Sequence, residues 1–179
     1  SRVIDDSKDS FVEGIEYLKI GCDLGNTRAC ADHAYILEKS VKFQDYNYAY
    51  QLYSDSCKHG SMWACTRMGW FYDKGYGVSR DILTSQNYFI FACKYGDGDG
   101  CRYVGDIQEK GKKMFWYNLG CEKGSVLSCN SAARIYEKGE EVEKDIKQAS
   151  ALYQVVCEAK HGYGCYNLGW VYKEGRLGE

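Results

Sequence analysis

Ten cysteines fall into five pairs, Cys22/Cys30, Cys57/Cys65, Cys93/Cys101, Cys121/Cys129 and Cys157/Cys165, each with seven residues between its members. The first members of successive pairs are 35, 36, 28 and 36 residues apart, so the chain is an array of units near 36 residues with one short member. A period in this range marks a solenoid. Numbering each unit from its first cysteine shows that more than cysteine repeats. Position +3 is Gly25, Gly60, Gly96 and Gly124, with Lys160 the exception; position +12 is Ala34, Gly69, Gly105, Ala133 and Gly169; position +18 is Gly75, Gly111, Gly139 and Gly175, with Ser40 the exception.

On one uninterrupted helix, residues eight apart are about 12 Å apart, beyond the roughly 7 Å reach of a disulfide. The members of a pair can bond only if the chain turns between them, and glycine at +3 supplies the left-handed conformation that ends a helix. In the last unit, CEAKHGYGC moves the glycines to Gly162 and Gly164, so its turn is expected one or two residues later. Before each pair, apolar or small residues at −8, −5, −4 and −1, such as Ala149, Leu152, Tyr153 and Val156, form one face of a helix. After it, positions +11, +12, +14 and +15, such as Met68, Gly69, Phe71 and Tyr72, form the face of a second helix, whose small residue at +12 lets a neighbouring helix come close.

An even cysteine count at fixed spacing argues for five local disulfides and hence for an oxidising compartment: periplasm, the outside of the cell or an oxidising organelle. Each nine-residue loop contributes about 2.6 kcal/mol in the chain-entropy model. Two alternatives compete. One is a set of reduced thiols in a cytosolic protein. The other is zinc, but structural zinc sites favour two to four intervening residues and recruit histidine, whereas no CxxC occurs and His33, His59 and His161 do not follow the repeat. His59 and His161 are read as helix C-terminal residues and His33 as a core residue; neither a metal nor another cofactor is expected.

A net charge of −2 and a pI near 6.0 offer no electrostatic case for nucleic acid. No apolar stretch approaches the roughly 20 residues that span a bilayer. The array of residues 1–179 is read as one domain of five units, incomplete at both ends, and its start at SRVIDDSKDS as a mature or trimmed form of an exported protein. The charged run Glu137 to Lys147 is read as a solvated loop and first helical turn. In the short unit, Gly111 to Cys121 is ten residues where Gly75 to Cys93 is eighteen, so a loop and the first turn of a helix are missing, either by true truncation of the hairpin or by omission of residues from the sequence.

The stretches RMGWFYDKGYGVSRD (Arg67 to Asp81) and YNLGWVYKEG (Tyr166 to Gly175) resemble the Sel-one-like repeat, a relative of the tetratricopeptide repeat. With one disulfide per unit, the chain is similar to the Hcp-type secreted, cysteine-rich bacterial proteins of that family. The resemblance runs from about Phe11 to Gly175. It implies an all-α fold, a right-handed α/α superhelix (solenoid) of helix-turn-helix repeats, which binds protein or peptide partners. It also implies a rival activity, penicillin binding with slow β-lactamase turnover, and with it β-lactam or peptidoglycan-like small molecules as ligands. Acyl transfer of that kind uses SxxK and KTG motifs; neither string occurs, nor does GxSxG or HExxH, and disulfide-bonded cysteines leave no thiol nucleophile. No catalytic residue is assigned, and an enzyme is not expected.

On the helix after each pair, positions +6, +9, +10 and +13 lie opposite the core arc. From that outer stripe the expected partner contacts are Tyr35, Trp63, Arg67, Trp70, Arg102, Tyr103, Asn130, Arg134, Tyr163, Tyr166, Asn167 and Trp170. Tryptophan, tyrosine and arginine dominate binding hot spots, and asparagine can hold a peptide backbone. Padding against the adjacent helix competes with binding for each ring; Leu127 is read as padding and Trp116 as core. Arg28, Arg67, Arg102 and Arg134 suggest acidic or carboxylate-bearing ligands, diluted by Asp32, Asp99 and Asp106. The resulting expectation is a secreted or periplasmic, monomeric scaffold without nucleic-acid binding or a membrane span, in which Trp70→Ala with Trp170→Ala abolishes capture and leaves melting nearly unchanged.

Overall fold

The computed structural model describes residues 9–174; Gly175, expected to close the last unit, lies outside them. Among the described residues the chain forms ten α-helices and no strand: α1 (Asp9–Asp23), α2 (Thr27–Lys39), α3 (Tyr46–Lys58), α4 (Met62–Lys74), α5 (Ile82–Lys94), α6 (Gly98–Ile107), α7 (Lys113–Glu122), α8 (Val126–Lys138), α9 (Ile146–Glu158) and α10 (Gly162–Lys173). They group into two compact units, residues 1–88 and 89–179. Sequence neighbours pack as antiparallel partners: α1 on α2, α2 on α3 and α3 on α4 in the first unit, and α6 through α10 in the same serial manner in the second. The chain is thus all-α, a solenoid of helix-turn-helix repeats.

The turn inside every cysteine pair is the same object. The +3 residue has positive φ, its N–H donates to the carbonyl of the first cysteine, and the +4 N–H donates to the residue preceding that cysteine, as in Gly60 to Cys57 (3.1 Å) and Ser61 to Ser56 (3.0 Å). This pair of bonds satisfies carbonyls that the helix end would leave orphaned. All five pairs are bonded, Cys22–Cys30, Cys57–Cys65, Cys93–Cys101, Cys121–Cys129 and Cys157–Cys165, with Cα–Cα distances of 4.5 to 4.8 Å, because the turn brings together residues that a continuous helix would separate. Four of the five bridges have at least one member in the packed interior. Cys30, Cys65, Cys93, Cys101 and Cys129 are each at most 5% exposed, and of the second members only Cys165 is open to solvent. The +4 residue then caps the following helix: Asn26, Ser61, Asp97 and Ser125 each accept a backbone N–H with the side chain.

The last unit departs from its expected geometry. Its turn is not displaced; Lys160 itself takes φ 59° at +3, its N–H donating to Cys157 (2.8 Å), while Gly162 and Gly164 lie inside α10. His161 is consequently the N-cap of α10 rather than a helix C-terminal residue, and its side chain makes no capping bond. His59 does close α3, and His33 is buried. A left-handed conformation costs a non-glycine residue about 1–2 kcal/mol, part of which glycine's extra unfolded-state entropy cancels. Lys160→Gly is therefore expected to raise the melting temperature by about 2–4 °C in a thermal melt; no rise would show that the Lys160 turn is unstrained.

The predicted helix faces meet in the core. Ala49, Leu52, Tyr53 and Ser56 of α3 are buried with Met68 and Phe71 of α4, and Ala149, Tyr153 and Val156 of α9 are buried with Val171 of α10. The small residue at +12 admits the next helix most tightly at Gly105, where a Cβ would sit 2.7 Å from the Tyr117 ring. Full burial of each large side chain contributes about 1.5–3 kcal/mol.

The short unit forms a shortened hairpin. The two helices flanking the intact 75–81 loop have 13 residues each, whereas α6 and α7 have 10 each and the loop between them is residues 108–112. One turn is lost from each helix and two residues from the loop. In the intact loops, Asp45, Asp81 and Asp145 cap the next helix through Tyr48, Thr84 and Gln148 N–H groups. The shortened loop has no such Asp, and Lys112 at the N-cap makes no side-chain capping bond. Glu141, from the next loop, does that work by accepting the Lys113 and Met114 N–H groups, both at 3.0 Å. Burial opposes ionisation of Glu141, but the backbone donors of Gly111, Met114 and Lys113 outweigh it and hold the carboxyl below its usual range. The run Glu137 to Lys147 is therefore more than solvated loop.

Candidate functional site

The outer stripe is half open. At +6 and +13 the side chains Tyr35, Trp63, Leu127, Arg134, Tyr163 and Trp170 are exposed, but at +9 Ala31 and Thr66 are buried. A lone amphipathic helix has one apolar face; a stacked one has neighbours on two sides, and in α2 and α4 position +9 turns toward the second neighbour, whereas Tyr166 at +9 of α10 is exposed. The buried bridge cysteines Cys30, Cys101 and Cys129, one residue before +9, lie on the inner side of these helices and present nothing to a partner.

In the first unit, Tyr35 and Trp63 pack ring to ring at 6.0 Å, and Trp63 meets the edge of buried Tyr53 at 5.7 Å. Trp70 is half-buried against Tyr76, with the Lys39, Arg67 and Lys74 cations 5.1 to 5.5 Å from its ring centre. Truncating it would remove packing, so the expectation of unchanged melting does not hold for Trp70→Ala. Arg67 is not presented to solvent. Its side chain is 12% exposed and its guanidinium grips both oxygens of Glu38, with Nε to Oε2 at 3.0 Å.

Glu38 is 3% exposed and also accepts from the Tyr53 hydroxyl (3.1 Å) and pairs with Lys39 (2.7 Å). Burial, reinforced by the Glu38 charge, pushes the Tyr53 hydroxyl far up, which keeps it a proton donor. The arrangement recurs in the second unit. Tyr153 donates to Glu137 at 2.7 Å, and Tyr117 donates to Asp106 at 2.8 Å. Each tyrosine is at position −4, and Glu38 and Glu137 are both at +16 of the preceding unit. The sequence reading missed these acids because a charged residue late in an exposed helix looks solvated. The available signal was the acid at +16 followed by tyrosine at −4. In the shortened repeat α6 ends before +16, and Asp106 at +13 serves instead.

In the second unit, Arg102 pairs with Asp106 (2.7 Å) and lies 4.0 Å above the Tyr103 ring, which stacks on buried Phe89 at 4.8 Å. Asn167 donates its side-chain amide to Asn130 at 3.3 Å, joining α10 to α8. Arg134 is exposed. Tyr163, Tyr166 and Trp170 are 71%, 62% and 39% exposed on α10, with Tyr172 nearby in sequence at 61%. Trp116, expected in the core, is half-buried beside exposed Phe115. Of the twelve expected contacts, the structure thus gathers Tyr35 with Trp63, and Tyr163, Tyr166 and Trp170, as open rings. Arg67, Arg102 and Tyr103 are engaged within the fold.

An all-helical array of hairpins with a disulfide at each turn and open aromatic and polar side chains on its second helices defines a disulfide-bonded repeat scaffold. The chain belongs to the Sel1 repeat family, whose model matches residues 7–26, 27–61, 64–97, 126–161 and 162–178. The stretch 98–125, between the third and fourth matches, contains the shortened α6–α7 hairpin. Cytochrome c oxidase assembly factor 7 of Xenopus tropicalis is 27% identical over 127 residues, 63% of this chain and 55% of that protein. The chain spans about half the length of the curated relatives it matches. The crystal structure of a Sel1 repeat protein from Oxalobacter formigenes is similar at 22% identity, covering 92% of this chain and 72% of that one, with a TM-score of 0.78. Helicobacter pylori cysteine rich protein B shares 21% identity over 92% of this chain and 98% of its own, with a TM-score of 0.43.

Proposed function

We propose that the chain is a scaffold that holds a protein or peptide partner in an oxidising, extracytoplasmic compartment, with recognition on the open aromatic residues of its second helices. The observation that carries this reading is α10, whose Tyr163, Tyr166 and Trp170 are large rings left in solvent on one described helix. Such rings bring contact area at low entropic cost and dominate measured hot spots. The Asn130–Asn167 pair beside them offers remaining amide donors and acceptors to a peptide backbone. Five disulfides and no free cysteine support the compartment. No helix among the described residues is long and apolar enough to cross a membrane. The curated relative is named for assembly of cytochrome c oxidase, work of the kind a partner-holding scaffold serves. No observation favours the penicillin-binding alternative.

The test replaces Tyr166 and Trp170 together by serine and measures affinity capture from envelope extract with oxidised protein. Capture is expected to fall about tenfold or more, with far-UV circular dichroism unchanged. Undiminished capture would remove α10 from the site.

A further inference from the structure

The shortened hairpin borders a cleft lined by the 108–112 loop, α7, α8 and the loop that follows α8. α7, at 10 residues, is about 5 Å shorter than the 13-residue α8 against which it packs. The cleft has a volume of about 360 Å³ and is lined by Lys110 of the short loop, Lys113 of α7, and Arg134 and Lys138 of α8. Two carboxylates also line it. Glu141 is spent on the α7 N–H groups, and Glu140 pairs with Lys138 at 3.4 Å.

The stripe arginines differ in what they have left to offer. Arg28 pairs with Asp32, Arg67 with Glu38 and Arg102 with Asp106. Arg134 has no ion-pair partner among the described residues, and neither has Lys110. On a chain of net charge −2, four cations against two committed carboxylates make a local positive site where acidic side chains would find unneutralised charge. We propose that this cleft takes an acidic peptide segment, its carboxylates on Arg134 and Lys110 and its stem over Ile135 and Tyr117. The proposal deepens the partner-binding reading, on which it rests, by naming the partner's chemistry.

The test uses the whole oxidised protein and a fluorescein-labelled hexaglutamate peptide followed by fluorescence anisotropy, at low and at physiological salt. Binding to the wild type is expected, weakened by salt as exposed charge pairs are. Arg134→Glu with Lys110→Glu should weaken it about tenfold or more, and Arg134→Lys should retain most of it. Both changed residues are exposed, so the melting curve should stay in place. Absence of hexaglutamate binding, or equal binding by the charge-reversed protein, overturns the proposal. So does tighter binding of tripolyphosphate or of a single-stranded oligonucleotide with the same loss on reversal, which would make the cleft a general anion or nucleic-acid site. The hexaglutamate assay involves none of the α10 rings, so its failure leaves the α10 reading standing, while undiminished capture by the α10 variant leaves the cleft standing.

Discussion

Reduction of the five disulfides is expected to unfold the chain at room temperature. Each bond closes the same short loop, and in the chain-entropy model each contributes about 2.6 kcal/mol by restricting the unfolded chain. Five together reach about 13 kcal/mol as an upper bound, comparable with the whole stability of an ordinary domain, about 5–15 kcal/mol. The bonds act chiefly on the unfolded state, because the folded turn is already held by its own backbone bonds, such as Gly60 to Cys57 and Ser61 to Ser56. Removing one bridge by Cys57→Ala with Cys65→Ala should therefore leave the helical spectrum intact while lowering the melting temperature by roughly 5–10 °C. Treatment with dithiothreitol should abolish the cooperative melt. A fully reduced protein that melts within about 5 °C of the oxidised one would show that packing alone sustains the array and that the bridges have another purpose.

That the bridges are assignable from the amino-acid sequence follows from their periodicity. A fixed spacing of cysteine, glycine and apolar residues specifies helix, turn and core face together, and burial of Tyr53, Met68, Tyr153 and Val171 follows from it, as does that of Cys30, Cys101 and Cys129. Legibility failed where one residue took over another's work. Lys160 adopts the backbone conformation that glycine adopts elsewhere, since two hydrogen bonds and the Cys157–Cys165 bridge over-determine the turn. Glu141 caps a helix 28 residues before it, a replacement visible only once the loss of the loop Asp is seen in three dimensions. The stripe was read from a single helix, and stacking turned Ala31 and Thr66 inward, while Tyr166 at the same register of α10 stays open. Arg67 was legible as a charged residue on the stripe but not as one half of a buried pair, because its partner Glu38 is 29 residues away.

Glu38→Ala is expected to be among the most damaging single substitutions outside the bridges, at about 3–5 kcal/mol, or roughly 6–20 °C of melting temperature. The carboxylate is 3% exposed and satisfies three donors at once: the Arg67 guanidinium, the Tyr53 hydroxyl and Lys39. Its removal takes the carboxylate from Arg67, itself 12% exposed, and leaves the wholly buried Tyr53 hydroxyl without that acceptor. An uncompensated buried charge costs far more than the pair contributes, so removing both partners should cost less than removing one. Glu38→Leu with Arg67→Met should thus recover to within about 2 kcal/mol of the wild type. A Glu38→Ala protein within about 1 kcal/mol of wild type would mean that the pair is solvent-screened despite its geometry. The double variant also decides what Arg67 does: if the side chain only closes the pair, capture survives in a protein that melts normally, and if it also meets the partner, capture falls while the fold remains.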